Sequence, residues 1–319
     1  MLKYDKQVIG KRAAELSFIR DTFEKVLRLI EILKFMNEDS TLKTCLALKG
    51  GTAINLTIFD LPRLSVDIDL DYTSSVTLEK MKSERETITT KIKKYMFAEV
   101  YELSPKSKFS HSLDSFVFTY TNAAGIKDNI KIEINYSLRS HILETEKRKV
   151  LAENIASDLK IITLSPIEIF GSKIVALLSR AAARDLYDIS NMISLNLFDS
   201  KEKEILKKCV VFYSAIAMKT PLTEFSFNAL DTITKYKIRT DLNPVIHKKD
   251  KFDLETAKTN VKDYLSNLLA FNPDEQRFLR EFKNKIYKPE LLFSDKKIIS
   301  KIENHPMAMW KIKSKMEEI

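Results

Sequence analysis

Asp67, Asp69 and Asp71 alternate with Ile68 and Leu70 in the segment from Ser65 to Tyr72. At the two-residue period of a strand the three carboxylates share one face, where like charges cost stability unless a cation neutralises them. Ligation by oxygen alone suits Mg²⁺ or Mn²⁺, and Mg²⁺ takes one or two protein carboxylates and fills its shell with water and substrate phosphates. A bare Asp-x-Asp reads more readily as a solvated strand edge with nothing bound, but two neighbours change that balance. Upstream, Leu48-Lys49-Gly50-Gly51-Thr52 reads as a strand, a Gly-Gly turn and the start of a helix. There, backbone N–H groups and the helix dipole receive phosphate oxygens, with the Thr52 hydroxyl as a further donor. Downstream, Lys131 to Asn135 reads as a strand on which Glu133 faces away from Ile132 and Ile134, placed to act as a third carboxylate. Glu102 and Asp114 compete for that role.

A second polar group follows Ser165-Pro166, a helix-start signal. If one helix runs from Pro166 to Asp188, its turn of about 100° per residue keeps Lys173, Arg180, Arg184 and Asp188 within about 80° of one another. Ala181-Ala182-Ala183 favours such continuity. A lysine and two arginines in one stripe suit neutralisation of triphosphate charge, the electrostatic role that dominates phosphoryl and nucleotidyl transfer. Asp185 and Asp188 would orient those cations. The plainer alternative is a row of surface ion pairs, each worth at most ~1 kcal/mol.

The elements that must position these residues follow from periodicity. Lys6 to Met36 repeats apolar residues at helical spacing, as one long or two shorter amphipathic helices. Cys45 to Lys49 reads as a buried strand, Thr52 to Phe59 as helical, Ser65 to Tyr72 as a half-buried strand and Leu78 to Tyr95 as a charged helix. Ser115 to Thr121 and Ile130 to Tyr136 are strands joined by a hairpin loop at Gly125, and Ile161 to Leu164 is another strand. Beyond Pro166 the pattern is helical, with turns near Asn196 to Ser200, Pro221, Asn243-Pro244, Asn272-Pro273 and Lys288-Pro289. The expected fold class is α+β. A mixed sheet with flanking helices occupies residues 1–165, and a helical half that completes the active site occupies residues 166–319.

Fifty-three Lys and Arg against forty-four Asp and Glu leave a formal charge of +9, which favours a polyanionic partner. Lys207, Lys208, Lys235, Lys237, Arg239, Lys248, Lys249 and Lys251 suit an RNA cradle, and suit a solubilising surface equally. Cys45 and Cys209 stand far apart, with no Cys/His grouping, which argues against a disulfide scaffold or a zinc site. No apolar run is long enough to span a bilayer, and the N-terminus alternates Lys, Asp, Arg and Glu where an export signal needs an apolar block. A cytoplasmic protein without a membrane partner is expected.

Taken together, Gly50-Gly51-Thr52, Asp67-Ile68-Asp69 and Glu133 resemble the nucleotidyltransferase superfamily of the DNA polymerase β type. More closely, Lys49-Gly50-Gly51-Thr52-Ala53 and Arg63-Leu64-Ser65-Val66-Asp67-Ile68-Asp69 resemble the AbiEii/MenT-type toxins of type IV toxin–antitoxin systems. Lys173, followed by Arg184-Asp185-Leu186-Tyr187-Asp188, is similar to that family's second signature. The resemblance implies a polymerase β-like core. It implies that Asp67, Asp69 and Glu133 hold Mg²⁺ or Mn²⁺, and that Gly50, Gly51, Thr52, Ser65, Lys173, Arg180 and Arg184 bind an NTP co-substrate. Lys173 and Asp188 take on catalytic importance by the same resemblance. It further implies transfer of a nucleotide to the 3′ end or acceptor stem of tRNA, arrest of translation, and neutralisation by a co-encoded antitoxin. Two other readings are open. One is nucleotidylation of a protein hydroxyl, as in AMP transfer, against which the +9 charge weighs. The other is a non-catalytic nucleic-acid-binding protein on the same fold, against which the intact Asp67, Asp69, Lys173 and Asp188 weigh.

Overall fold

The computed structural model describes residues 4–74, 76–152, 155–156, 158–217 and 226–314. The chain forms two compact units. A sheet unit comprises Met1–Arg139, Thr145–Leu164 and Asn243–Asp250, and a helical unit comprises Ser140–Glu144, Ser165–Leu242 and Lys251–Ile319.

The strands of the sheet unit are β1 (Leu46–Lys49), β2 (Asp67–Tyr72), β3 (Glu102–Leu103), β4 (Lys108–Phe109), β5 (Leu113–Thr121), β6 (Lys127–Asn135), β7 (Glu146–Lys149) and β8 (Lys160–Thr163). They order as β3-β5-β6-β2-β1-β8-β7, with β4 also on β5. The sheet is mixed: β2 runs parallel to β6 and antiparallel to β1, and β1 runs parallel to β8. Around it lie α1 (Lys6–Glu15), α2 (Arg20–Glu38), α3 (Leu42–Cys45), α4 (Gly50–Ala53) with a π-helical continuation at Ile54–Ile58, and α5 (Leu78–Ala98).

The N-terminal periodicity resolves into two helices because Ser17 adopts φ 59 and Phe18 turns into the core. Asp5 caps α1, accepting from the amides of Gln7 and Val8 at 2.9 Å each. The apolar stripe of α2, including Phe23, Val26, Ile30 and Leu33, is buried, and α2 packs on β8.

The register of β2 on β6 positions the chemistry. Ile68 pairs with Ile132 and Leu70 with Ile134, all buried, while Asp67 pairs with Lys131 and Asp69 with Glu133 on the opposite face. Each buried isoleucine or leucine contributes about 1.5–3 kcal/mol, and a slip of one residue would bury the carboxylates instead. Hydrophobic alternation therefore sets which acids meet. The short strands β3, β4 and β7 were not legible in the sequence. They carry charged residues without alternation, such as Glu146-Lys147-Arg148-Lys149, and β7 stands at a sheet edge, where charges discourage further pairing.

The helical unit contains α6 (Pro166–Arg180), α7 (Ala183–Ser194), α8 (Ser200–Ala217), α9 (Asn228–Asp231), α10 (Lys235–Lys237), α11 (Leu254–Leu268), α12 (Pro273–Lys283), α13 (Lys296–Ile302) and α14 (Pro306–Lys313). A π-helical turn at Ile238–Leu242 follows α10. The turn expected at Pro221 lies outside the described residues. The single helix expected from Pro166 to Asp188 is corrected: α6 ends at Arg180, Ala181 takes a left-handed φ of 49, and α7 starts at Ala183. In a straight helix Asp188 would stand about 22 Å beyond Lys173. The break folds it back into contact, and the ion pairs and apolar faces so buried outweigh the few tenths of a kcal/mol per residue that three helical alanines offer.

Candidate active site

Asp67 and Asp69 project, half-buried, from the polar face of β2 beside the turn that links β1 to α4. Gly50 in that turn has φ 68, and a Cβ there would lie 2.6 Å from Asp69 Oδ2. A Cβ on Gly51 would lie 2.6 Å from Arg63 Nη2 and 3.0 Å from Ser65 Oγ. Two of only five glycines in the chain stand here because side chains close over the backbone on both residues. The first N–H groups of the helical segment that begins at Gly50 have no intrahelical partner and lie at its positive end.

Thr52 departs from expectation. It is fully buried and its hydroxyl donates to the Asp67 carbonyl, so it ties α4 to β2 instead of pointing toward a phosphate. Asn55 Nδ2 similarly donates to the Gly51 carbonyl at 2.8 Å.

The expected line of three aspartates divides. Asp71 is 2% exposed, with Lys49 Nζ 2.5 Å from its Oδ1 as an ion pair without hydrogen-bond geometry. Asp67 and Asp69 remain toward solvent. Of the acids considered for the third position, Asp114 is buried and bound by Arg85 through two nitrogens, and Glu102 is exposed on the edge strand β3. Glu133 is the one paired with Asp69 across the sheet. Its Oε1, however, is held 2.9 Å from Lys131 Nζ, and among the described residues no group of three or more His, Cys, Asp or Glu is placed to hold a metal ion. Asp67 and Asp69 form a pair that matches what Mg²⁺ takes from a protein. Partial burial disfavours charge on Lys131, but its hydrogen bond to Glu133 and the charges of Glu133, Asp67 and Asp69 outweigh this and raise its pKa.

Arg63, 2% exposed behind Gly51, and Lys131 carried no role in the sequence reading. The two-residue period that puts Glu133 on the polar face puts Lys131 there too, and was the signal for it.

In the helical unit, Lys173 is 8% exposed, with Nζ 2.9 Å from Asp185 Oδ1 and 2.9 Å from Asp188 Oδ2. Arg180 places Nε and Nη2 2.9 Å from Asp185 Oδ2, with its side chain 66% exposed. Arg184 leaves the expected stripe, because the break at Ala181 turns it and its Nε donates to the Asp241 carbonyl at 2.8 Å. Two cations therefore face two carboxylates, and removing one member of such a buried network typically costs about 3–5 kcal/mol.

A mixed sheet that presents an Asp-x-Asp strand beside a Gly-Gly turn and a helix start defines a nucleotidyltransferase. The sequence profile described as nucleotidyl transferase AbiEii toxin, type IV TA system, matches residues 32–287. The chain belongs to this family, and is a nucleotidyltransferase toxin of the type IV toxin–antitoxin class. Among solved structures, the nucleotidyltransferase toxin MenT4 of Mycobacterium tuberculosis H37Rv is similar over 95% of this chain and 98% of its own, at 13% identity and a TM-score of 0.64, a likeness of fold. No curated protein sequence matches the chain.

Proposed function

We propose that this toxin transfers a nucleotide from an NTP to the 3′ end or acceptor stem of tRNA in the cytoplasm, halting translation until a cognate antitoxin neutralises it. The observation that carries the chemistry is the contact of Asp69 with the Gly50 backbone. It sets the carboxylate of Asp69, two residues from Asp67 on the same strand face, at the start of a helical segment. Metal-binding carboxylates and phosphate-binding donors then share one surface, as a metal–triphosphate requires. Mg²⁺ or Mn²⁺, held by Asp67 and Asp69, would supply charge neutralisation on the phosphates and acidify the acceptor hydroxyl. The Gly51 amide and the Ser65 hydroxyl hold phosphate oxygens, and Arg63 braces the turn from behind. In the helical unit Asp185 and Asp188 position Lys173, a cation of the kind that offsets phosphate charge. Asp188 acts through Lys173 and is a positioning residue.

The +9 charge supports an RNA acceptor, and membership of a toxin–antitoxin family supports an antitoxin partner. The test incubates the chain with each labelled NTP, Mg²⁺ and total tRNA, then resolves RNA from protein. Label in tRNA, lost in Asp67→Asn, is the expected result. Label in protein would move the acceptor to a protein hydroxyl, and label that survives Asp67→Asn would remove the site.

A further inference from the structure

Residues 59–66 carry Arg63 and Ser65 to the Gly51 backbone without a helix or strand of their own. Residues 243–250 run alongside them as a strap. The Leu64 N–H donates to the Val245 carbonyl at 2.7 Å, Arg63 forms an antiparallel bridge with Ile246, and Val245 and Ile246 are buried. One residue on, His247 places Nε2 3.1 Å from the Leu61 carbonyl and Nδ1 2.8 Å from the carbonyl of Leu16, the C-cap of α1. We infer that His247 is a positioning residue for nucleotide binding: it pins residues 61–65 to the end of α1 and so fixes Arg63 and Ser65 at the phosphate-binding turn.

The pin joins two turns with unfavourable backbones. Leu61 has φ 48, and Ser17, next to Leu16, has φ 59, a region that L side chains rarely adopt. Such a conformation persists where the bonds around it over-determine it. At Leu61 they do: its N–H donates to the Asn55 carbonyl at 3.1 Å, its carbonyl meets His247, and Asn55 Nδ2 holds the Gly51 carbonyl. On the other side the Lys248 N–H donates to the Ser17 carbonyl at 2.7 Å, which ties the strap to the same turn that His247 reaches. A carbonyl oxygen only accepts, so a neutral ring bonds one of the two carbonyls and the imidazolium bonds both. The stack on Phe18, at 4.2 Å, sets the ring between them in either state. His247 thus acts on the nucleotide through residues 61–65.

The inference rests on Gly51 and Ser65 holding the triphosphate, and the experiment separates the two ideas. Each of the four NTPs is titrated with Mg²⁺ into the full chain, without RNA, by isothermal calorimetry, beside melting curves and amide hydrogen exchange. His247→Phe keeps a ring to stack on Phe18 and removes both donors, whereas His247→Gln keeps donors. His247→Phe should weaken triphosphate binding about tenfold and His247→Gln by no more than about threefold. In the wild-type chain, triphosphate should slow exchange of the Leu64 and Lys248 amides, whose hydrogen bonds belong to the strap, and His247→Phe should lose that protection. Unchanged affinity in a folded His247→Phe, equal losses in the two variants, or wild-type exchange at Leu64 and Lys248 that triphosphate leaves unaltered would overturn the pin. A Ser65→Ala chain that binds triphosphate as tightly as the wild type, or a wild-type chain that binds none, would instead overturn the phosphate-binding turn and the inference with it.

Discussion

A methyl group at Gly50 would meet Asp69 Oδ2 at 2.6 Å on a backbone held at φ 68. Gly125, in the β5–β6 hairpin, has φ 80, and a methyl group there would meet nothing within 4 Å. The pair separates backbone strain from contact with the carboxylate. Both Gly→Ala substitutions carry the left-handed penalty of about 1–2 kcal/mol, readable by urea denaturation. Only Gly50→Ala also pushes Asp69 aside, so it should abolish nucleotide transfer while Gly125→Ala retains it. Equal activity in the two variants would show that the Asp69–Gly50 contact is dispensable. At this scale the acids on β2 were legible because strand alternation is local. Their sorting was not: Asp71 and Glu133 are each neutralised by a lysine on the same sheet face, Lys49 across the strands and Lys131 two residues away.

Among the elements, α6 is held at both ends by features that can be tested. Its C-cap, Ala181, is left-handed at φ 49, and its N–H donates the last helical bond of α6 to the Leu177 carbonyl at 2.9 Å. Glycine adopts that conformation without the Cβ penalty, so Ala181→Gly should raise unfolding stability by about 1 kcal/mol, seen as a higher denaturation midpoint at unchanged slope. Near its start, Glu168 is 1% exposed and accepts from the amides of Ile142 and Leu143 at 3.0 Å each, from the Tyr213 hydroxyl, and contacts His141 Nδ1 at 3.3 Å. Burial pushes the Glu168 carboxyl pKa up, but the hydrogen bond and charge of His141, with the bonds from Tyr213 and Leu143, hold it below the usual carboxylate value. A depressed pKa in the folded state means the unfolded chain binds the proton first. The stabilisation is therefore complete above the ordinary carboxylate range and is lost as pH falls through the folded value. Melts between about pH 7 and about pH 3 should show an acid loss of stability that is shallower in Glu168→Gln. An identical acid limb in that variant would assign the loss to other carboxylates.

Over the whole molecule the excess of positive charge governs any long-range attraction of RNA. The segment from 243 to 250 packs within the sheet unit, where the His247 ring stacks on Phe18 at 4.2 Å and contacts the carbonyls of Leu16 at 2.8 Å and Leu61 at 3.1 Å. The Lys248 amide donates to the Ser17 carbonyl at 2.7 Å, and the side chains of Lys248, Lys249 and Lys251 are exposed. If these lysines contact tRNA, log affinity should fall with log salt by roughly 0.7–0.9 per phosphate neutralised. Replacing all three by Gln should then weaken binding and flatten the slope while leaving triphosphate affinity nearly unchanged. A salt series on both proteins decides it, and an identical slope would remove this segment from the RNA contact.

What the sequence by itself determined follows from short-range physics. Period-two alternation placed Asp67, Asp69 and Glu133 on one face, helical periodicity marked α2 and α5, and the rarity of glycine singled out Gly50 and Gly51. Each of these depends on a residue and its near neighbours. Tertiary structure alone decided the rest. It broke the helix at Ala181 against the preference of three alanines, recruited charged edge strands into the sheet, spent the Thr52 hydroxyl on Asp67, turned Arg184 away to Asp241, and tied Lys173 to two aspartates. Those outcomes depend on which charges and hydrogen-bond partners meet after the chain has packed. Their energies of a few kcal/mol exceed the tenths that local propensity supplies, so no local pattern encodes them.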